Sequence, residues 1–106
     1  MGKYLVNASY TSSGVQGLIK EGGSSRLAVV KELTASIGGS IDWMYYAFGE
    51  DDVVAVVDLP SDEAAVALAL TVGAAGAVNI RTTVLLSPEQ IDEAVKLSPA
   101  YRAPGG

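Results

Sequence analysis

Apolar residues recur along the chain at two spacings, every second position and about every third or fourth, and the switches between them fall at Gly, Pro and Ser. Residues 3–10 are rich in Tyr, Leu and Val and predict a first strand. Thr11 or Ser12 can accept a hydrogen bond from the free N–H groups of a following helix. Val15, Leu18 and Ile19 have helical spacing, and Gly22-Gly23-Ser24-Ser25 interrupts it. Leu27, Val30, Leu33 and Ile37 then recur about every turn of a longer helix, which Gly38-Gly39 ends. Residues 40–48 form a dense aromatic strand, with Gly49-Glu50-Asp51 as a hairpin turn. Residues 52–59 are a nearly continuous β-branched run, the signature of a strand covered on both faces. Pro60 stops it. Ser61 or Asp62 caps an Ala-rich helix that ends near Gly73, and residues 78–86 make a fourth strand. Ser87 and Pro88 suit the cap and first position of a short last helix. Residues 98–106, with two prolines and a terminal Gly pair, read as a loose tail.

The predicted order is β-α-β-β-α-β plus a terminal helix. This is an α+β, ferredoxin-like arrangement with a four-stranded antiparallel sheet and helices on one face. Residues 1–97 make the domain and 98–106 its tail.

Side chains alternate across a strand. Val78, Ile80, Thr82 and Val84 share one face of the fourth strand, and Asn79, Arg81, Thr83 and Leu85 the other. Tyr4, Val6 and Ala8 oppose Leu5, Asn7 and Ser9 in the first. The two strands are neighbours in this topology, so Asn7, Ser9, Asn79, Arg81 and Thr83 form a polar stripe away from the helices. The third strand offers only apolar choices, Val54 and Val56 on one parity and Val53, Ala55, Val57 and Leu59 on the other. Each such side chain left wet forfeits roughly 1.5–3 kcal/mol. A second sheet packed face to face recovers much of this, so a homodimer through sheet faces is expected, with higher oligomers open to it. Cover by the last helix is the competing solution.

Composition narrows the function. Hydrophobic residues are 49% of the 106 and charged residues only 18%, which is low for a small domain and fits surface buried against another subunit. A formal charge of −5, with no basic cluster, disfavours nucleic acid and anionic membranes. Residues 64–78 are apolar but too few to span a bilayer. Residues 1–4 show no long apolar leader, so a cytoplasmic location is expected. The chain has no Cys and no His, which removes disulfides, thiol chemistry, zinc fingers and His-based triads. No dinucleotide or Walker-type fingerprint is present, and no cofactor is expected.

Several segments together resemble the GYD-domain family. They are Tyr10-Thr11-Ser12-Ser13-Gly14 with Leu18 and Lys20; Tyr45-Tyr46-Ala47-Phe48-Gly49-Glu50-Asp51-Asp52-Val53-Val54; Ser61-Asp62-Glu63-Ala64-Ala65 with Leu68-Ala69-Leu70; and Asn79-Ile80-Arg81-Thr82 with Ser87-Pro88-Glu89. The resemblance covers residues 3–95. It implies a ferredoxin-like fold pairing as a dimeric α+β barrel, and it implies little about activity, because one fold hosts many. The name-giving Gly-Tyr-Asp element reads Gly49-Glu50-Asp51-Asp52 here, with Asp51 in the tyrosine's place, so no role of that tyrosine transfers.

The candidate ligand-binding residues are Asn7, Tyr10, Trp43, Tyr45, Tyr46, Asn79 and Arg81. Arg81, on an otherwise apolar strand, needs an anionic partner. Asp58 or Asp42 would serve, and so would a ligand carboxylate or phosphate. Asn7 and Asn79 could orient a polar group beside it. Trp43, Tyr45, Tyr46 and Tyr10 suit either an aromatic-lined pocket or core and dimer contacts. Glu50, Asp51 and Asp52 read as a solvated turn rather than a metal site. Gly73-Ala74-Ala75-Gly76 reads as a helix end, since no basic neighbours make it a nucleic-acid clamp. The expected function is a small-molecule-binding or assembly module without a catalytic constellation. The alternative is a cofactor-independent isomerase or oxygenase, acting in the barrel cleft on a small aromatic or anionic compound. There Arg81 would hold the substrate's charge and a tyrosine would assist proton transfer. A purely structural interaction protein is a third reading.

Overall fold

The structure is a computed structural model and describes residues 2–106. Its elements are β1 (Gly2–Tyr10), α1 (Ser12–Glu21), α2 (Gly23–Ser36), β2 (Ser40–Tyr46), β3 (Val53–Leu59), α3 (Asp62–Ala75), β4 (Val78–Leu85) and α4 (Pro88–Leu97). The strands form one antiparallel sheet in the order β2-β3-β1-β4, the ferredoxin-like topology expected from the pattern.

Local chemistry sets the element ends. The Thr11 hydroxyl accepts from the Gly14 N–H at 3.3 Å, and Ser61 from Ala64 at 3.1 Å. Ser87 and Gln90 cap α4 reciprocally, with Pro88 inside the first turn. Between α1 and α2, Gly22 adopts φ of 83°, which other L-residues resist, so one helical stretch becomes two. A Cβ on Gly39 would lie 2.6 Å from the Asp58 carbonyl oxygen, so only glycine lets β2 start flush against β3.

Register decides what each face shows. Tyr4 pairs with Val57 and Val84, Val6 with Ala55 and Thr82, and Ala8 with Val53 and Ile80. These side chains face the helices. The core is Tyr4, Val57, Leu59, Ala65 and Leu68, with Leu33, Ile37 and Ile41 against it. In β2 the register slips between Ile41 and Trp43. That bulge keeps Ile41 and Met44 with the helices and places Trp43 and Tyr45 opposite Val56 and Val54 on the open face.

The Tyr4 hydroxyl donates to Asp62 Oδ1 at 2.5 Å, tying β1 to the first turn of α3. That bond, aided by burial, raises the phenol above its ordinary value. A raised folded value means the native state holds the proton longer than the unfolded chain. The stabilisation is therefore complete below the ordinary tyrosine value of about 10 and is lost as pH rises through the folded value. Alkaline titrations followed by circular dichroism should show stability falling above that pH, with a shallower fall in Tyr4→Phe. Parallel curves for the two proteins would contradict the assignment.

α2 rests on β2, and α3 rests on β4. The last helix does not cover the open sheet face: no residue of α4 is buried, and it makes no substantial contact with any strand. It projects from the body. The radius of gyration is 17.1 Å and the longest dimension 58 Å, whereas a compact chain of this length has a radius of about 13 Å.

Candidate functional site

The sheet separates two regions. On the open face, Lys3, Leu5, Asn7 and Ser9 of β1 lie between Asp58, Val56 and Val54 of β3 and Leu85, Thr83, Arg81 and Asn79 of β4. Trp43 and Tyr45 of β2 complete it. Their rings pack at a tilt of 52°, with centroids 5.7 Å apart. Trp43 is 43% exposed and Tyr45 67%. The face is thus apolar across its middle and aromatic at one edge.

Two charged clusters interrupt it. The Lys3 ammonium donates to Asp42 at 2.8 Å and Asp58 at 3.1 Å, and these two carboxylates raise its pKa. Asp58 Oδ1 is buried with no donor among the described residues. At the other end, Asp51 accepts from Arg81 at 2.5 Å, Asn7 at 3.2 Å and Ser9 at 3.3 Å. Its side chain is only 15% exposed. The Arg81 partner is therefore Asp51, not Asp58 or Asp42, which Lys3 occupies. Nor is 50–52 simply a solvated turn. Asp52 accepts from the Tyr10 N–H at 2.8 Å, and its own N–H donates to the Ala8 carbonyl at 2.9 Å. These bonds fold the loop back over the end of β1 and carry Asp51 onto the sheet. Among the described residues, no group of acids is arranged to hold a metal ion.

The second region lies between sheet and helices. Because α2 sits over β2 and α3 over β4, a gap remains above the central strands. Ala8 and Ala55 are too small to fill it. The result is a cavity of about 110 Å³ whose floor includes Val6, Ala8 and Ala55, with walls from Val30 and Leu33 of α2 and Leu68 and Val72 of α3. It is smaller than the ~150 Å³ apolar cavity that holds benzene, so an aromatic guest needs the walls to give slightly. Tyr10 and Arg26 also line it. The Arg26 guanidinium has only a loose partner, Glu21 at 3.6 Å. Tyr46 stands beside Tyr10 and Arg26 and donates to the Gly23 carbonyl at 3.0 Å. Burial pushes its phenol up, and Tyr10 beside it adds to the rise. A phenol raised in this way stays protonated to higher pH, so it persists as a hydrogen-bond donor and is a weaker acid.

The seven expected site residues thus divide. Asn7, Asn79, Arg81, Trp43 and Tyr45 share the open face, whereas Tyr10 and Tyr46 lie on the helix side. Arg81 and Tyr10 cannot grip one small molecule within a single chain. Asp51 and Arg26, missed at the sequence level, are the groups that complete each region.

An α+β sandwich of this strand order, with one sheet face under helices and one bare, is the ferredoxin-like class. Within it, the chain belongs to the GYD domain family, whose profile matches residues 4–95. No curated protein and no solved structure matches it. Among the described residues, no helix is long and apolar enough to cross a membrane.

Proposed function

We propose that the protein is a homodimeric small-molecule-binding module, paired through its open sheet faces, in which each protomer uses the cavity between sheet and helices as its pocket. The observation that carries the ligand reading is that cavity: apolar walls with a phenol and a loosely held guanidinium among the lining. Apolar walls with few convergent polar groups are the usual make-up of a small-ligand site. The matching ligand is a small aromatic or branched compound bearing one carboxylate or hydroxyl.

The bare face supports the pairing. Leu5, Val54 and Val56 lie half-buried on it beside the more exposed Trp43, and a partner would remove their remaining apolar surface from water at about 25 cal/mol per Å². The Asp51–Arg81 pair enters such an interface neutralised, which limits its desolvation penalty, whereas Lys3 with Asp42 and Asp58 keeps a net charge of −1 that favours a place at the wet rim.

The catalytic alternative, a cofactor-independent isomerase or oxygenase, changes its residues. The role of holding substrate charge passes from Arg81 to Arg26, and Tyr10 and Tyr46 are the available proton donors.

A thermal-shift screen with small aromatic carboxylates tests the pocket. A ligand at 100 times its dissociation constant stabilises by about 2.7 kcal/mol, raising the melting temperature by ~10–20 °C. Ala55→Leu should fill the cavity, abolish the shift and leave the unliganded protein at least as stable. A shift that survives the substitution places the ligand elsewhere. Product formation from a bound compound would favour the enzyme.

A further inference from the structure

The apolar positions of α4, Pro88, Ile91, Ala94 and Val95, recur three and four residues apart and form one stripe. Glu89, Asp92, Glu93 and Lys96 lie off it. None of the described residues covers the stripe: Ile91 is 48% and Val95 71% exposed. The same chain holds an apolar groove with no occupant, between α3 and β4, where Ala65, Val66, Ala69, Leu70 and Val84 meet. Leu70 is 67% exposed there. Only Leu86 and Ser87 connect β4 to α4, and the helix projects outward rather than turning back onto its own groove.

We propose that α4 is an exchange arm, whose apolar stripe seats in the α3–β4 groove of a second copy of this chain. The inference rests on the sheet-face dimer described above and deepens it. Area is the argument. Four strands spaced ~4.8 Å apart and ~23 Å long present on the order of 450 Å² of sheet face. A stable interface needs about 800 Å² per partner. A ten-residue helix is ~15 Å long and ~10 Å wide, so one arm given and one received add about 300 Å² to each protomer. Sheet and arms together come to about 750 Å², within the range of roughly 600–1,000 Å² per partner spanned by standard interfaces, and the sheets alone fall below it. Reciprocal arms also satisfy the two-fold symmetry of a closed dimer. A membrane is a poor occupant for this stripe. With Glu89, Asp92 and Glu93 against one lysine, the flanks of α4 are repelled by anionic lipid.

Sedimentation equilibrium of the full chain across a concentration series tests this. Ile91→Asp/Val95→Asp and Val66→Asp/Leu70→Asp change mostly exposed positions, so each protomer should keep its wild-type circular dichroism. Each pair should raise the dimer dissociation constant at least tenfold. A wild-type dimer whose affinity neither pair alters overturns the arm and leaves sheet pairing standing, and is also the result if α4 serves a lipid surface or a foreign protein. Weakening by the α4 pair alone overturns the groove as its seat. A monomeric wild type removes the sheet dimer itself and the arm with it.

Discussion

Leu59→Ala is expected to destabilise the protomer by about 2–5 kcal/mol, the range for truncating a large side chain in a close-packed core. Leu59 is 0% exposed and belongs to the core with Tyr4, Val57, Ala65 and Leu68. It lies at the end of β3, where Gly39 brings the start of β2 against its side chain. Backbone therefore approaches the side chain directly, and that site has little freedom to collapse around a void. Domains of this size are stable by roughly 5–15 kcal/mol, so the substitution removes a large fraction. Urea titration should show a lower midpoint with an unchanged slope, and the melting temperature should fall by ~10–30 °C. A loss under about 1 kcal/mol would mean that the core is looser than its burial indicates.

Trp43→Ala should act on a different equilibrium. Trp43 stands on the open face against Tyr45 and opposite Val56, so it contributes little to the protomer's own core. In a face-to-face dimer it becomes a large aromatic anchor beside the apolar centre of the interface. Truncating such an anchor typically weakens association by 2 kcal/mol or more, about 30-fold in dissociation constant. Equilibrium sedimentation of the variant should show that weakening, while unfolding of the dissociated protomer stays near wild type. Unchanged association with a destabilised protomer would make Trp43 a core residue and leave the open face without its anchor.

The alternation in β1 and β4 assigned both faces of those strands correctly, because a buried face imposes a strict period of two. Arg81 was legible as a charge needing a partner, but the partner was not. Asp51 reaches it through a loop held by backbone bonds from Ala47 to Asp52 and from Asp52 to Ala8, and no local pattern encodes these. The bulge beside Asp42 was equally hidden, since it shows only when β2 is laid against β3. The cavity depends on two alanines that face the helices on adjacent central strands, Ala8 opposite Val53 and Ala55 opposite Val6. Each reads alone as an ordinary strand residue, and only register turns the pair into a hollow. For α4 the sequence showed the cap and the first-turn proline. That the helix would leave the body could not be seen, because burial is a property of the whole chain.

The claim beneath all of this is that two copies meet through the naked side of the sheet. Analytical ultracentrifugation of the 106-residue chain at micromolar concentration measures it directly. The prediction is a reversible species of twice the 10.9 kDa chain mass, with association weakened by Trp43→Ala. A folded, cooperatively melting species at the single-chain mass throughout the series would contradict it.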